Sequence, residues 1–231
     1  MNHTLAASRR HSAEAILARA SKRPSAVTSQ VAERLAFLGA FLRKPQVVGA
    51  ITPSSRALAL AMVEGMELKR AKLVIELGPG TGAFTKVILE RLGRQTEFVA
   101  LELDKVSAKR LRQRFPGVAF HHDSAENLHH YVARSRSKRA DIVISGLPWT
   151  ILPRPVHDRI FREIIDSLAP DGCFATFAYL HGCCLPSAGR FRNLLKEHFQ
   201  QVERSRVVWR NIPPAFVYRC SRPIPNKPLA G

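Results

Sequence analysis

The chain has 231 residues and a mass of 25.8 kDa, room for one α/β domain and a short extension. Its 45% apolar content is that of a domain with a real core, and no apolar run approaches the ~20 residues that cross a bilayer. Lys and Arg number 36 against 18 Asp and Glu, a formal net charge of +18. Such a surface attracts polyanions, and composition does not choose between nucleic acid and anionic lipid.

The first 45 residues are a basic leader, with eight Lys or Arg against two acids, a net of +6. The segment lacks the apolar block of a secretory signal. It is poor in acid, which leaves a transit peptide open, and a cytoplasmic protein is the simpler expectation. Pro24 divides it into two helical pieces. In the second, Val27, Val31, Leu35, Leu38 and Leu42 recur at spacings of three or four. A basic helix with one apolar face suits a membrane interface, and equally suits a cap on the core. We therefore divide the chain into a leader (1–48), a main domain (49–222) and a tail (223–231).

Thr52-Pro53 reads as an N-cap and first helical residue, giving a helix over 54–66 with Gly65 near its stop. Ser54, Ser55 and Arg56 then fall in the first turn, where free N–H groups and the helix dipole favour an anion. A phosphate could sit there in the Arg56 fork. Ordinary capping beside a solvated arginine fits the same spacing.

From residue 72 the pattern becomes β-α-β. KLVIEL (72–77), EFVALEL (97–103), GVAFHH (117–122) and ADIVISGLP (140–148) read as strands, each followed by a loop or helix. Ala169-Pro170-Asp171-Gly172 reads as a turn before the strand CFATFAYL (173–180). QVERSRVVWR and AFVYRC close the chain as two strands around Asn211-Ile212-Pro213-Pro214. The expectation is a mostly parallel sheet of Rossmann-like type with an antiparallel C-terminal edge. Cys173, Cys183, Cys184 and Cys220 form no CxxC and read as reduced thiols. His121, His122, His129 and His130, with Asp123 nearby, lack tetrahedral ligand spacing, so no metal is expected.

Glu76-Leu77-Gly78-Pro79-Gly80-Thr81-Gly82 lies between a strand and a helix. Glycines at such a place let backbone approach a ligand at the helix start. Gly78, Gly80 and Ala83 also satisfy the dinucleotide pattern G-x-G-x-x-G/A, whose acid about 20 residues on is filled by Glu102. The run Glu76 to Gly82 resembles the first motif of the class I methyltransferases, with Gly82 one position early, as in the subgroup reading GPGTG. That resemblance implies S-adenosylmethionine as cofactor. It places Glu76, Gly78, Gly80, Thr81 and Gly82 around it, Glu102 and Leu103 at the ribose, and Asp123 with Ser124 near the adenine. A nicotinamide enzyme would also need a substrate domain, for which the chain has little room.

In open α/β sheets the ligand crevice lies beyond the carboxyl ends of the strands. There Ser145-Gly146-Leu147-Pro148-Trp149 resembles the [N/D]-x-P-[Y/F/W] motif of amino-methyltransferases, with Gly146 at the Asn or Asp position. The missing side chain argues against a flipped adenine. The carbonyls of Ser145, Gly146 and Leu147 remain to orient a small amine, and Trp149 to face a cationic head group. Tyr179 and His181 lie on the same side and could hold a phosphate or relay a proton. A turn with a packed tryptophan is the plainer alternative.

Three segments, GAITPSSRALALAM, IELGPGTGAFT and ISGLPW, with NIPPAFVYR as a fourth, resemble the bacterial phospholipid N-methyltransferases over about residues 35 to 222. That family methylates phosphatidylethanolamine stepwise towards phosphatidylcholine. The resemblance implies an anionic membrane surface as partner and a peripheral membrane location, with Ser54, Ser55, Arg56 and His181 at the substrate. The related ribosomal RNA adenine dimethylases carry N-L-P-Y where this chain has Gly146-Leu147-Pro148-Trp149. They are the alternative, with nucleic acid as substrate.

Overall fold

A computed structural model describes residues 54–225. The basic leader, Thr52 and Pro53 lie outside the described residues, as does the tail from 226. The first described helix, α1 (Arg56–Val63), is shorter than the sequence suggests. Its N-cap is Ser55, whose hydroxyl accepts from the Leu58 amide, and Glu64 ends it in extended conformation ahead of Gly65.

The elements that follow are β1 (Leu73–Leu77), α2 (Ala83–Leu89), β2 (Glu97–Glu102), α3 (Lys105–Arg114), β3 (Ala119–His122), α4 (Leu128–Arg134), β4 (Ala140–Ser145), α5 (Arg154–Ser167), β5 (Leu168–Tyr179), α6 (Pro186–His198), β6 (Phe199–Arg204) and β7 (Ala215–Pro223). The strands form one seven-stranded sheet in the order β3-β2-β1-β4-β5-β7-β6. The first five run parallel, and β7 runs antiparallel to both β5 and β6. The antiparallel pairing is therefore confined to the C-terminal margin, where β7 lies inside β6.

The sequence places its apolar residues where this sheet needs them. All five residues of β1 are buried, the signature of a central strand covered on both faces. On one face Leu58 and Met62 of α1 pack with Phe84, Val87 and Ile88 of α2 over Val74, Ile142 and Val217. Burying each large side chain stabilises the fold by ~1.5–3 kcal/mol. Opposite, α5 buries Ile160, Phe161 and Ile164, and Phe161 meets Phe199 edge to face at 6.4 Å.

Besides α1, several elements differ from the sequence reading: α4 has no counterpart in it, and β6 ends at Arg204 rather than running on to Arg210. The turn at Ala169–Gly172 lies within β5 as an irregularity: Ala140 pairs with Leu168 and Ile142 with Cys173, so the intervening residues bulge out of register. Helix α6 has no counterpart in the sequence reading. The order reverses between β1 and β4, and a crevice opens there at the carboxyl ends.

Candidate active site

The loop after β1 turns through three glycines with positive φ, Gly78 (69°), Gly80 (56°) and Gly82 (78°). A Cβ on Gly82 would lie 2.7 Å from the Phe115 ring, whereas Gly80 has nothing within 4 Å and stays open for a ligand. Gly82 is the N-cap of α2. Two buried carboxylates back the loop. Glu102 is 1% exposed. Its Oε2 accepts the Gly80 amide at 2.9 Å and its Oε1 the Asp104 amide at 2.9 Å. Burial pushes its carboxyl up, and those amide bonds oppose the rise.

Glu76 is fully buried. Its Oε2 accepts from the Thr85 hydroxyl at 2.7 Å, while Oε1 has no partner. Burial, opposed by the Thr85 bond and reinforced by the Glu102 charge, raises its pKa from 4.5 to about 8. This buried oxygen leaves one hydrogen-bonding position unused beneath the glycine turn.

The other sequence-predicted donor residues gather along the ends of β2 and β3. Leu103 follows Glu102 and is 37% exposed, and neither it nor Asp123 nor Ser124 lines the crevice that holds Gly78 and Gly80. Asp123 accepts from the Ser124 amide, Asn127 Nδ2 and the Tyr131 hydroxyl. Burial raises its carboxyl, but these bonds outweigh it and hold the group below the usual range. Tyr131 is pushed up to about 12 by burial and by Asp123. Ser124 caps the short 3₁₀ turn Ala125–Asn127 through the Glu126 amide. Thr81 lines the crevice, and its carbonyl accepts from Arg114.

The acceptor side is built on the turn after β4. The Gly146 amide donates to the Leu77 carbonyl at 2.8 Å, and a Cβ on Gly146 would lie 2.6 Å from the Gly78 carbonyl oxygen. Glycine stands here because two backbones touch. The Ser145 carbonyl accepts from Thr176 and the Leu147 carbonyl from the Trp149 amide. Of the three carbonyls singled out in the sequence, only that of Gly146 carries no hydrogen bond from the described residues.

Trp149 lines the crevice but is only 4% exposed. It stacks on Phe191 at 5.0 Å and 11°, meets His157, Phe161 and Phe174 edge to face, and donates from Nε1 to Ser145 Oγ at 3.2 Å. The expectation of an open aromatic face for a head group is corrected: the indole is a packed support for the turn. Pro148 also lines the crevice.

The crevice has a volume of about 270 Å³. Gly78, Gly80 and Thr81 meet Gly146 and Leu147 on its walls, with Tyr179 and His181 stacked at 5.6 Å and 19°. Burial raises the Tyr179 phenol. Ser54 reaches this crevice, but Ser55 and Arg56 do not line it. The Arg56 guanidinium pairs with both oxygens of Glu90 at 3.3 and 3.2 Å, and Ser55 spends its amide on Asn211 Oδ1 and its hydroxyl on the cap. The expected phosphate fork is thus corrected to a structural ion pair between α1 and α2. The lining holds no Lys or Arg among the described residues.

Sequence reasoning missed Phe84, Phe177, Ile151, Leu185 and Phe191, which supply the apolar walls. Phe177 was findable, since Cys173, Ala175, Phe177 and Tyr179 alternate along β5 and share one face. Phe191 was not, because α6 meets Trp149 only through the tertiary fold.

Residues 74–172 match a family model described as a methyltransferase domain. An ornithine lipid N-methyltransferase of Singulisphaera acidiphila is 31% identical over 188 residues, 80% of this chain and 93% of that protein. A ribosomal RNA small subunit methyltransferase A of Albidiferax ferrireducens is 27% identical over 138 residues, 54% of this chain and 51% of that protein. Among solved structures, the 1,6-didemethyltoxoflavin-N1-methyltransferase of Burkholderia thailandensis superposes with a TM-score of 0.61 at 16% identity, covering 87% of this chain and 92% of that one.

Proposed function

The chain belongs to the class I S-adenosylmethionine-dependent methyltransferases, and from that premise we propose that it methylates the amine of a membrane lipid head group, phosphatidylethanolamine and its partly methylated forms first among them. One observation carries the reading: the glycine turn backed by Glu76 and Glu102 opens straight into an apolar crevice beside the Gly146 carbonyl.

The donor site fits its cofactor. Glu102 presents a fixed carboxylate for the ribose diol, the open face of Gly80 admits the ligand against backbone, and the unpartnered Glu76 Oε1 leaves a hydrogen-bonding position beneath the turn. When bound, S-adenosylmethionine supplies a sulfonium methyl that an amine lone pair takes by in-line displacement. An ammonium has no such lone pair, so the acceptor must arrive neutral. The walls of Phe84, Phe177 and Leu147 exclude water and disfavour the charged amine. The Gly146 carbonyl accepts one N–H and so aims the lone pair, and Tyr179 and His181 border the same space as hydrogen-bond partners for a head group. Positioning on this scale supplies much of the acceleration.

A second reading, an ornithine head group, draws support from the 31% identical relative and from a lining without Lys or Arg to meet a phosphate. The ribosomal RNA reading has less behind it, since the match to the Albidiferax ferrireducens protein of that class spans 54% of this chain, against 80% for the lipid enzyme. The deciding experiment gives purified full-length protein a labelled methyl donor with vesicles containing phosphatidylethanolamine, vesicles containing an ornithine lipid, or ribosomal RNA. Label in the lipid phase of the first is expected. Label in RNA above any lipid turnover would overturn the proposal, and label confined to the second would move the acceptor to the ornithine lipid.

A further inference from the structure

Six large apolar side chains are exposed among the described residues: Leu103, Val106, Ile151, Leu185, Trp209 and Ile212. The topology gathers all six at one end of the sheet. Leu103 and Val106 follow β2, Ile151 follows β4, and Leu185 follows β5. Trp209 and Ile212 stand on the segment between β6 and β7, and because β7 is antiparallel, with Ala215 paired to Tyr179, that segment also lies at the carboxyl end of β5. The amino end of the sheet is different. It carries a groove lined by Lys69, Arg70, Lys72, Arg94 and Arg136, and none of the six.

Trp209 is 69% exposed and Ile212 65%, although a tryptophan is normally among the better buried residues. The loop that carries them is held firmly. Asn211 between them is 1% exposed. Its Oδ1 takes the Ser55 amide at 2.8 Å, and its Nδ2 donates to the Pro213 carbonyl at 2.8 Å. The Pro214 carbonyl takes the Leu180 amide, and Val208 pairs with Ala215. Both anchors adjoin the crevice, since Ser54, Tyr179 and His181 line it. The apolar tips are therefore fixed at the crevice mouth. Arg206 and Arg210, both exposed, flank Trp209.

We propose that Trp209 and Ile212, with Ile151 and Leu185 across the mouth, form a membrane-docking rim that enters the headgroup layer of an anionic bilayer and sets the crevice over its lipid amine. The proposal rests on the lipid-amine reading above and adds a surface distinct from the leader. The occupant follows from the chemistry of the rim. An indole beside an isoleucine, flanked by guanidinium groups, matches the apolar-below, anionic-above layering of a headgroup region. Rigid exposure of such side chains around a ligand entrance is what an interaction patch requires.

The chain has two tryptophans, Trp149 buried and Trp209 exposed, so its own fluorescence reports the contact. With full-length protein and vesicles of phosphatidylglycerol and phosphatidylethanolamine, the emission is expected to shift to the blue and to be quenched by bromine on the lipid chains. Both responses should vanish in Trp209→Ser, which retains Trp149. The double variant Trp209→Ser/Ile212→Ser should bind these vesicles about tenfold more weakly. Its methylation of vesicle substrate should fall with it, while donor affinity and turnover of a detergent-dispersed acceptor stay at the parent level. An unshifted emission, or a double variant that binds vesicles like its parent, overturns the rim. Trp209 already shielded from acrylamide without vesicles would overturn it too, because another part of the chain would then cover the loop. A lipid-dependent shift with no methyl transfer to any lipid would leave the rim standing and sink the functional reading instead.

Discussion

Glu76 carries the sharpest consequence at the scale of single residues. Its folded value of about 8 stands above the ordinary 4.5, so the folded protein holds this proton more tightly than the unfolded chain. The stability it contributes is fully present below pH 4.5 and is lost as pH rises through about 8. Urea melts of the donor-free protein should therefore show stability falling across that window by up to a few kcal/mol, and Glu76→Gln should flatten the slope. An unchanged slope in that variant would mean the proton is held elsewhere. Glu102 does a different task, since its two carboxyl oxygens tie the Gly80 and Asp104 amides. Glu102→Ala should weaken donor binding by ~1–3 kcal/mol, the range for charged hydrogen bonds, with calorimetry as the readout. Unaltered affinity in a folded variant would remove Glu102 from the site. Gly146 cannot receive the asparagine of related amino-methyltransferases, because a Cβ there meets the Gly78 carbonyl at 2.6 Å. Gly146→Asn should lower stability by ~1–3 kcal/mol through overpacking and gain no activity on RNA. A stable variant that methylates RNA would refute this.

At the scale of elements, the turn after β4 stands on α6. Trp149 lies flat on Phe191 and bonds Ser145 through its indole nitrogen. Removing the ring by Trp149→Ala should cost ~3–5 kcal/mol, whereas Trp149→Phe keeps most of the packing and should cost ~0.5–1.5 kcal/mol for the lost hydrogen bond. Thermal melts that rank the two variants equally would show that the cluster does not hold the turn. The same element explains what the sequence hides. The five parallel strands are legible because their apolar runs and intervening loops are local signals, and Glu102 and Asp123 fall on schedule after them. Asn211 reaches Ser55 across 156 residues of chain, a distance over which no periodicity speaks. Arg56 shows the opposite limit: its place beside a helix start is readable, but its partner Glu90 depends on how α1 packs on α2. Ala169-Pro170-Asp171-Gly172 has true turn chemistry, yet pairing of Leu168 and Cys173 with β4 on either side absorbs it into one strand.

At the scale of the whole molecule, the charge of +18 is expected to draw the protein to anionic surfaces. No helix among the described residues is long and apolar enough to cross a membrane. The leader adds a net +6 and an apolar stripe by sequence, and each Lys or Arg near an anionic surface adds ~1 kcal/mol of attraction. Co-sedimentation with anionic vesicles should weaken steeply with salt and with removal of residues 1–44. A truncated protein that sediments as well as the full chain would assign the leader to packing.

The contact between Gly78 and Gly146 joins the loop after β1 to the loop after β4. The Gly146 amide hangs on Leu77, and the Gly78 carbonyl leaves no slack beside it, so a shift of the loop after β1 must be matched by the loop after β4. Ligands bound on the two loops would then be coupled through this contact. Thermodynamic reciprocity requires the methyl donor to raise acceptor affinity by the same factor as acceptor raises that of donor.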